Sequence, residues 1–251
     1  MGRTADKPAA GPEPNRGHNA HPARRTNEGA ENYAKAIYQL QGRGEEPVHT
    51  NAVAERLGVA PASASGMLKR LADEGLVDYE PYHGARLTER GERLALEVIR
   101  HHRLLELFLA EVLEMPWDRV HEEAEVLEHH ISEDLEELIA TKLGQPALDP
   151  HGDPIPSREL AISDDDTVAL SEMGPGQSGV FARVSDRDAS MLRYLTERGI
   201  QPGAKLTVGE RQPFGGPLTV EIGGDTHQLG PELAQRMRVK DLGKTKAGAP
   251  H

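Results

Sequence analysis

The chain has 251 residues, 37% hydrophobic and 28% charged, with a formal net charge of −12 and no cysteine. That length suits one large domain or two to three small ones, with three expected, and the charge argues against a protein that coats nucleic acid through bulk positive potential; any metal site must be built from His, carboxylate and carbonyl groups. No run of 18 apolar residues is present and the first 28 residues lack the apolar core of a signal peptide, so a soluble, cytoplasmic protein with no membrane partner is expected.

Residues 1–26 are rich in Pro, Gly, Ala, Arg and His without periodicity and read as a disordered arm. NEGAENYAKAIYQLQ follows as a first helix with Tyr33, Ile37 and Leu40 on one apolar stripe, ended by Gly42 and Gly44. Thr50 is placed to cap a short helix carrying Val53, Ala54 and Leu57, Gly58 stops it, and residues 63–74 form a second helix with Met67, Leu68 and Leu71 inward. Two short helices across a tight turn make a helix-turn-helix. Residues 76–80 alternate as a strand, Tyr82, His83 and Gly84 form a hairpin tip, and the return strand leads to Thr88, which caps the next helix. The hairpin is a wing, and residues 27–95 are expected to form a winged helix-turn-helix DNA-binding domain.

In that geometry the second helix enters the major groove and the wing reaches phosphates. Ala62, Ser63, Ser65 and Gly66 are small enough for close approach to double-stranded DNA, with Lys69, Arg70 and Arg86 as nearby cations and His83 at the wing tip. A helix-turn-helix can also serve as a protein-protein module, but the basic-tipped wing favours DNA.

Residues 89–114 read as a long helix and residues 117–131, WDRVHEEAEVLEHHI, as another, with His121, Glu125, Glu128 and His129 within roughly one face. His102 and Glu106, four apart on the long helix, point back at them. An acidic helix is usually a solvated surface. Here, however, residues 104–137 hold twelve acidic side chains against Arg119 alone, whereas residues 51–103 hold eight acidic and eight basic, so the acid is concentrated where the His residues are. That pattern suits a divalent cation. Ser132 restarts a helix through Leu143, and residues 96–148 are expected to form a helical dimerisation and metal-binding domain whose surplus apolar stripes fit a symmetric homodimer. Residues 149–164, with DPHGDPIP, are a turn-rich linker; residues 165–241 are short alternating strands of a small β-barrel with one helix near 190–198; and residues 242–251 are a disordered tail. The fold class is mainly α with a small β domain.

With these parts in this order, the chain resembles the diphtheria toxin repressor family of iron- and manganese-dependent transcriptional regulators, on AENYAKAIYQL, RHHRLLELFL, VHEEAEVLEHHIS, PHGDPIP and LGPELAQRMRV. The resemblance implies a FeoA-like (Src-homology-3-like) barrel at the end of the chain, a dimer on palindromic operator DNA repressing metal-uptake genes, and Mn²⁺ or Fe²⁺ as the cofactor at two ions per subunit. It places an ancillary site on His102, Glu106 and His121, and a primary site on Glu125, Glu128 and His129 joined by Asn32. Glu125 stands where iron-responsive members have Cys, and a hard oxygen there favours Mn²⁺.

Two positions depart from the family. Asn32 replaces the usual Asp or Met, so the primary site uses its amide oxygen, recruits Glu31 or leaves that vertex to water. Lys35 replaces a metal-binding Glu of some manganese-responsive members, which argues against two adjacent ions there. Some relatives lend ligands from the barrel to the ancillary ion, and the resemblance places Asp186 and Asp188 of SDRD in that neighbourhood, although a loop DxD is more often merely solvated. A di-metal enzyme is the rival class, opposed by the lack of paired Glu-x-x-His motifs and of His-Glu-x-x-His. A winged-helix regulator blind to metal is the other alternative.

Overall fold

Helix α1 (Glu28–Gln41) opens the computed structural model, which describes residues 28–42, 44, 46–163 and 166–244, side chains 243 and 244 excepted. The expected N-terminal arm lies outside the described residues, as does the tail beyond 244. Residues 242–244, expected as disordered tail, instead continue the last strand.

The winged domain is built by its punctuation. α2 (Thr50–Leu57) ends at Gly58, whose φ of +64° lets its N–H return to the Ala54 and Glu55 carbonyls. α3 (Pro61–Asp73) starts two residues earlier than expected because Pro61 at its first turn has its φ preset for a helix. Thr50 is not a cap: it is the first helical residue, preceded by His49, which makes no side-chain cap bond. Strands β1 (Val77–Glu80) and β2 (Gly84–Leu87) pair antiparallel as the wing. Tyr33, Ile37, Val53, Ala64, Leu68, Leu71 and Val77 share one core, while Leu40 lies outside it and is exposed.

α4 (Glu89–Glu111) is capped by Thr88, whose Oγ1 accepts the Gly91 N–H at 3.2 Å. The next helix is shorter than expected. α5 covers only Val120–Leu127; residues 117–119 turn after Pro116, whose carbonyl accepts the Arg119 N–H, and residues 128–130 close in another turn. Glu128 and His129 therefore sit just past the helix end, where the backbone can aim them independently. α6 (Glu133–Lys142) is capped by Ser132 and completes a second, smaller core with Leu104, Leu105, Leu107, Ala124, Ile139 and Ile155. Val126, Leu135 and Leu138 of this domain remain exposed.

The C-terminal domain is a six-stranded antiparallel sheet of β3 (Val168–Ala169), β4 (Gln177–Val184), β5 (Lys205–Arg211), β6 (Leu218–Ile222), β7 (Asp225–Leu229) and β8 (Met237–Lys244), with two helices, α7 (Ala189–Thr196) and α8 (Pro231–Arg236). The strands run in the order β3-β8-β4-β5-β6-β7, and this small β domain closes over Phe181, Leu192, Leu195, Ile200, Leu218 and Leu229. It docks on the helical domain: Trp117 Nε1 donates to Thr196 Oγ1 at 2.6 Å, and Arg193 meets Asp118 at 3.2 Å. Among the described residues no helix is long and apolar enough to cross a membrane.

The join between wing and α4 is tight at Gly91, where a Cβ would lie 2.0 Å from the Leu76 carbonyl oxygen. Backbone cannot yield there as a flexible side chain would. Gly91→Ala is expected to destabilise the protein by about 1–3 kcal/mol, the usual scale of overpacking. The midpoint of urea unfolding measures it; an unchanged midpoint would mean α4 slides freely on the wing.

Candidate metal centre

His102 and Glu106 lie one helical turn apart on the inward face of α4 and are both buried. His121, from the first turn of α5, reaches across to them. Its Nδ1 is 3.2 Å from Glu106 Oε1 and 3.1 Å from His102 Nε2, which is itself 3.0 Å from Glu106 Oε1. The sheet domain adds a fourth group, since Asp186 Oδ2 stands 3.1 Å from His121 Nδ1. Ligand-type atoms of these four residues all lie within 4.8 Å of one another. So the three expected ancillary residues converge, and Asp186 joins them.

Asp188 does not. Its Oδ1 accepts the Ser190 and Met191 N–H groups and the Ser190 hydroxyl, capping α7, and that task turns it from the cluster.

The expected primary set is divided. Glu125 and Glu128 turn toward the Lys35 ammonium, which donates to Glu125 Oε1 at 2.7 Å and to Glu128 Oε2 and Oε1 at 2.7 and 2.9 Å. His102 Nδ1 also reaches Glu128 Oε2, at 2.5 Å. His129 faces α1 instead: its Nδ1 lies 2.5 Å from Glu31 Oε2 and its Nε2 3.1 Å from Asn32 Oδ1. Both Asn32 and Glu31 thus border His129, and Glu128 Oε1 is 3.5 Å from the same imidazole.

A further group escaped the sequence reading. Residues 149–156, expected as a linker, pack beneath α4 with His151 fully buried. Gly152 makes this possible: at φ +89° it passes so close to β4 that a Cβ would fall 2.0 Å from the Ala182 carbonyl oxygen. The Val184 N–H donates to the His151 carbonyl at 3.1 Å, and the Trp117 ring stacks on the imidazole at 5.5 Å. His151 Nδ1 then faces Glu106 Oε2 at 3.7 Å, too long for a hydrogen bond. Neither atom has a hydrogen-bond partner among the described residues, and both are buried. Leaving such atoms unpaired costs roughly 1–3 kcal/mol each. With Asp149 they form another triad within 4.8 Å. Glu106 Oε2 offers an unpaired lone pair, and His151 Nδ1 would offer a second on losing its proton, so with Asp149 alongside the residues present fit a hard divalent cation. The signal lay in DPHGD, an Asp and a His two apart.

The electrostatics are those of paired acids and imidazoles. Burial opposes charge on His102, but Glu106, Asp186 and Glu128 hold its pKa well above the usual imidazole value. Burial likewise pulls His121 and His151 down, yet their carboxylate neighbours hold both up at about 9. Glu106 and Asp186 go the other way: burial raises them, and the facing imidazoles bring both well below the ordinary carboxylate range. Burial, with Asp153 and Glu106 nearby, pushes Asp149 up to about 8.

The residues expected to face DNA lie on α3 and the wing. Ala62, Ser63, Gly66, Lys69, Arg70 and His83 are exposed, and Ser65 and Arg86 are half-buried. Arg70 is engaged with Glu74 at 2.9 Å. The wing tip adds Tyr82, almost fully exposed at φ +69°.

A winged helix-turn-helix whose first helix reaches into a buried His–carboxylate cluster defines a DNA-binding regulator with an attached metal-binding domain. Sequence comparison specifies the kind. The profile of the iron dependent repressor N-terminal DNA binding domain matches residues 25–85, that of the iron dependent repressor metal binding and dimerisation domain residues 88–157, and that of the FeoA domain residues 168–241. The iron-dependent repressor IdeR of Mycobacterium tuberculosis is 33% identical over 224 residues, covering 84% of this chain and 96% of that protein. The diphtheria toxin repressor of Corynebacterium diphtheriae is 28% identical over 234 residues, covering 84% and 96%. Among solved structures, a manganese-dependent transcriptional repressor in complex with manganese superposes with a TM-score of 0.80 at 42% identity, covering 85% of this chain and 100% of that one. ScaR with bound Zn²⁺ gives 0.71 at 30% identity, covering 85% and 99%. The chain belongs to the iron-dependent repressor family of metal-dependent transcriptional regulators.

The raised imidazole pKa values set a pH dependence. A proton held more tightly in the fold than in the unfolded chain stabilises below pH 6.5, and that stability is lost as pH rises toward about 9. Asp149 acts in the same direction up to about 8. Metal ligation requires neutral imidazoles, so the ion's contribution grows over the same window. Chelated protein is expected to melt lower at pH 8.5 than at pH 6.5, with the Mn²⁺-induced rise in Tm larger at pH 8.5. Scanning fluorimetry reads both, and a chelated Tm that climbs with pH would show that these imidazoles are neutral in the fold.

Proposed function

We propose that this protein is a cytoplasmic, Mn²⁺-responsive repressor that binds palindromic operator DNA as a homodimer and governs metal-uptake genes, without catalysing a reaction. Fe²⁺ is the alternative ion. The observation that carries the reading is the origin of the clustered side chains: Asn32, Glu31 and Lys35 from α1 of the winged domain; His102, Glu106, His121, Glu125, Glu128 and His129 from the helical domain; Asp186 from the sheet domain.

Two ions per subunit fit the groups available. His102, Glu106, His121 and Asp186, with Asp149 and His151 on the far side of Glu106, would hold one; Glu125, Glu128 and His129, with Asn32 or Glu31, would hold the other. A divalent ion supplies concentrated positive charge that neutralises carboxylates and ties ligands from different domains into one coordination sphere. The chain's own residues do the rest. Glu31 and Asn32 fix the bearing of α1 on the 128–130 turn, and α1 shares its core with α3, so the recognition helix turns with it. In a symmetric dimer that bearing sets the separation of two recognition helices, which must match one DNA turn of about 34 Å. Ser63 and Ser65 would face the groove, and Lys69, Arg86 and the wing would meet phosphates. Exposed Val126, Leu135 and Leu138 support a helical dimer face. All-oxygen and nitrogen ligands favour Mn²⁺ over thiophilic ions.

The test is fluorescence anisotropy on a duplex selected by the protein from a random pool. Chelated protein is titrated separately with Mn²⁺, with Fe²⁺ under anaerobic conditions, and with Zn²⁺. DNA affinity is expected to rise steeply with Mn²⁺. Glu106→Ala should remove most of that rise, since even outer partners of metal ligands are worth about 10–100-fold in metal affinity. Equally tight binding by the chelated protein would replace this reading with a regulator blind to metal.

A further inference from the structure

We propose that Lys35 is a tethered cation that competes with the divalent ion for Glu125 and Glu128, so that this site switches by exchanging an ammonium for a metal and admits only one ion. The inference rests on the reading above that these two carboxylates take a metal.

The ammonium is built into the place. Lys35 is 5% exposed although it sits on a helix between domains, and its Nζ lies within 2.9 Å of three carboxylate oxygens and 3.2 Å from His102 Nδ1. Both Glu128 oxygens are engaged by it, and Glu128 is itself buried. A lysine has three protons and no acceptor, so this pocket is already organised around one positive charge. The oxygens it uses are the ones a metal would need. A doubly charged ion among them would sit within a few ångströms of the ammonium, in a part of the protein where water screens little. One must leave.

Charge counting says which combinations are stable. Glu125 and Glu128 contribute two negative charges, which the Lys35 ammonium and the His102 imidazole proton beside Glu128 match in the absence of metal; one divalent ion balances both once these leave, and two divalent ions or a divalent ion plus ammonium overshoot. Glu125 is held below the ordinary carboxylate range because Lys35 and the nearby imidazoles outweigh its burial. Lys35 also spans domains, tying α1 to α5 and to the turn after it. In this arrangement α1 is never loose: ammonium exchange shifts its bearing between two held positions, and the intramolecular competitor raises the metal concentration at which the shift occurs.

The experiment is calorimetric titration of Mn²⁺ into chelated wild type, Lys35→Met, Lys35→Glu and Glu128→Ala, with hydrogen exchange of α1 in the chelated proteins. Lys35→Met is expected to bind Mn²⁺ at least about tenfold tighter at one site (about 1.4 kcal/mol), at unchanged stoichiometry, while α1 amides exchange faster without metal. Lys35→Glu is expected to take up one more ion per subunit. Should Lys35→Met fail to fold, Lys35→Gln removes the charge while keeping a donor and gives the same comparison. Wild-type or weaker Mn²⁺ affinity in the uncharged variant overturns the competition, and unchanged stoichiometry in Lys35→Glu overturns the exclusion. If Glu128→Ala still binds every ion the wild type binds, the fault lies with the assignment of the site itself, not with the lysine.

Discussion

One carboxylate, Glu106, is the group on which the arrangement turns. It is fully buried, and its two oxygens face opposite ways: Oε1 toward His102 and His121, Oε2 toward His151. An isolated buried carboxylate costs several kcal/mol, so a fold can hold one only by surrounding it with positive or proton-donating groups. Here those groups come from three places in the chain. His102 is one turn away on the same helix, His121 opens α5, and His151 sits in a segment pinned between α4 and β4 by Gly152. Docking of the sheet domain follows from the same need, since Asp186 answers His102 and His121.

The charge balance explains how so acidic a region folds and why it invites metal. Twelve acidic side chains fall between residues 104 and 137, and the innermost of them are matched by imidazoles whose protons are held tightly and by the Lys35 ammonium. These are replaceable charges. Protons leave as pH rises and a lysine can swing aside, whereas an arginine guanidinium in the same position would keep its charge and its fork of donors. In the proposed reading, divalent ions would take over that neutralising role. The two clusters communicate directly, because His102 presents Nδ1 to Glu128 and Nε2 to Glu106.

Much of this was legible in the sequence where the information is local. Gly58 and Thr88 punctuate the winged domain, and the four-residue spacing of His102 and Glu106 on a strongly periodic helix fixes their shared face. Legibility failed where position depends on distant chain. Helical spacing through residue 131 put Glu128 and His129 on α5, but contacts from α1 hold them in the turn beyond it. Asp149 and His151 carry no periodicity, and only the approach of β4, far along the chain, turns a Pro- and Gly-rich stretch into part of a buried cluster. Asp186 and Asp188 are indistinguishable in a DxD loop; the start of α7 decides between them by requiring a cap from the second.

The DNA end of the molecule obeys the same logic of rigid connection. Ala64, Leu68 and Leu71 root α3 in a core shared with Tyr33 and Ile37 of α1. α1 presents Glu31, Asn32 and Lys35 to the buried His–carboxylate clusters from one face. The N-terminal half of α3 carries Ala62, Ser63, Ser65 and Gly66, and Gly66 has open space where a side chain would stand. Few long side chains are available there to read base edges. In the proposed reading, recognition would lean on close backbone approach, groove shape and water-mediated contacts, all of which are sensitive to where the helix sits. A reader of that kind is well suited to control by geometry, because a small change in the bearing of α1 alters the fit of the whole surface rather than one hydrogen bond.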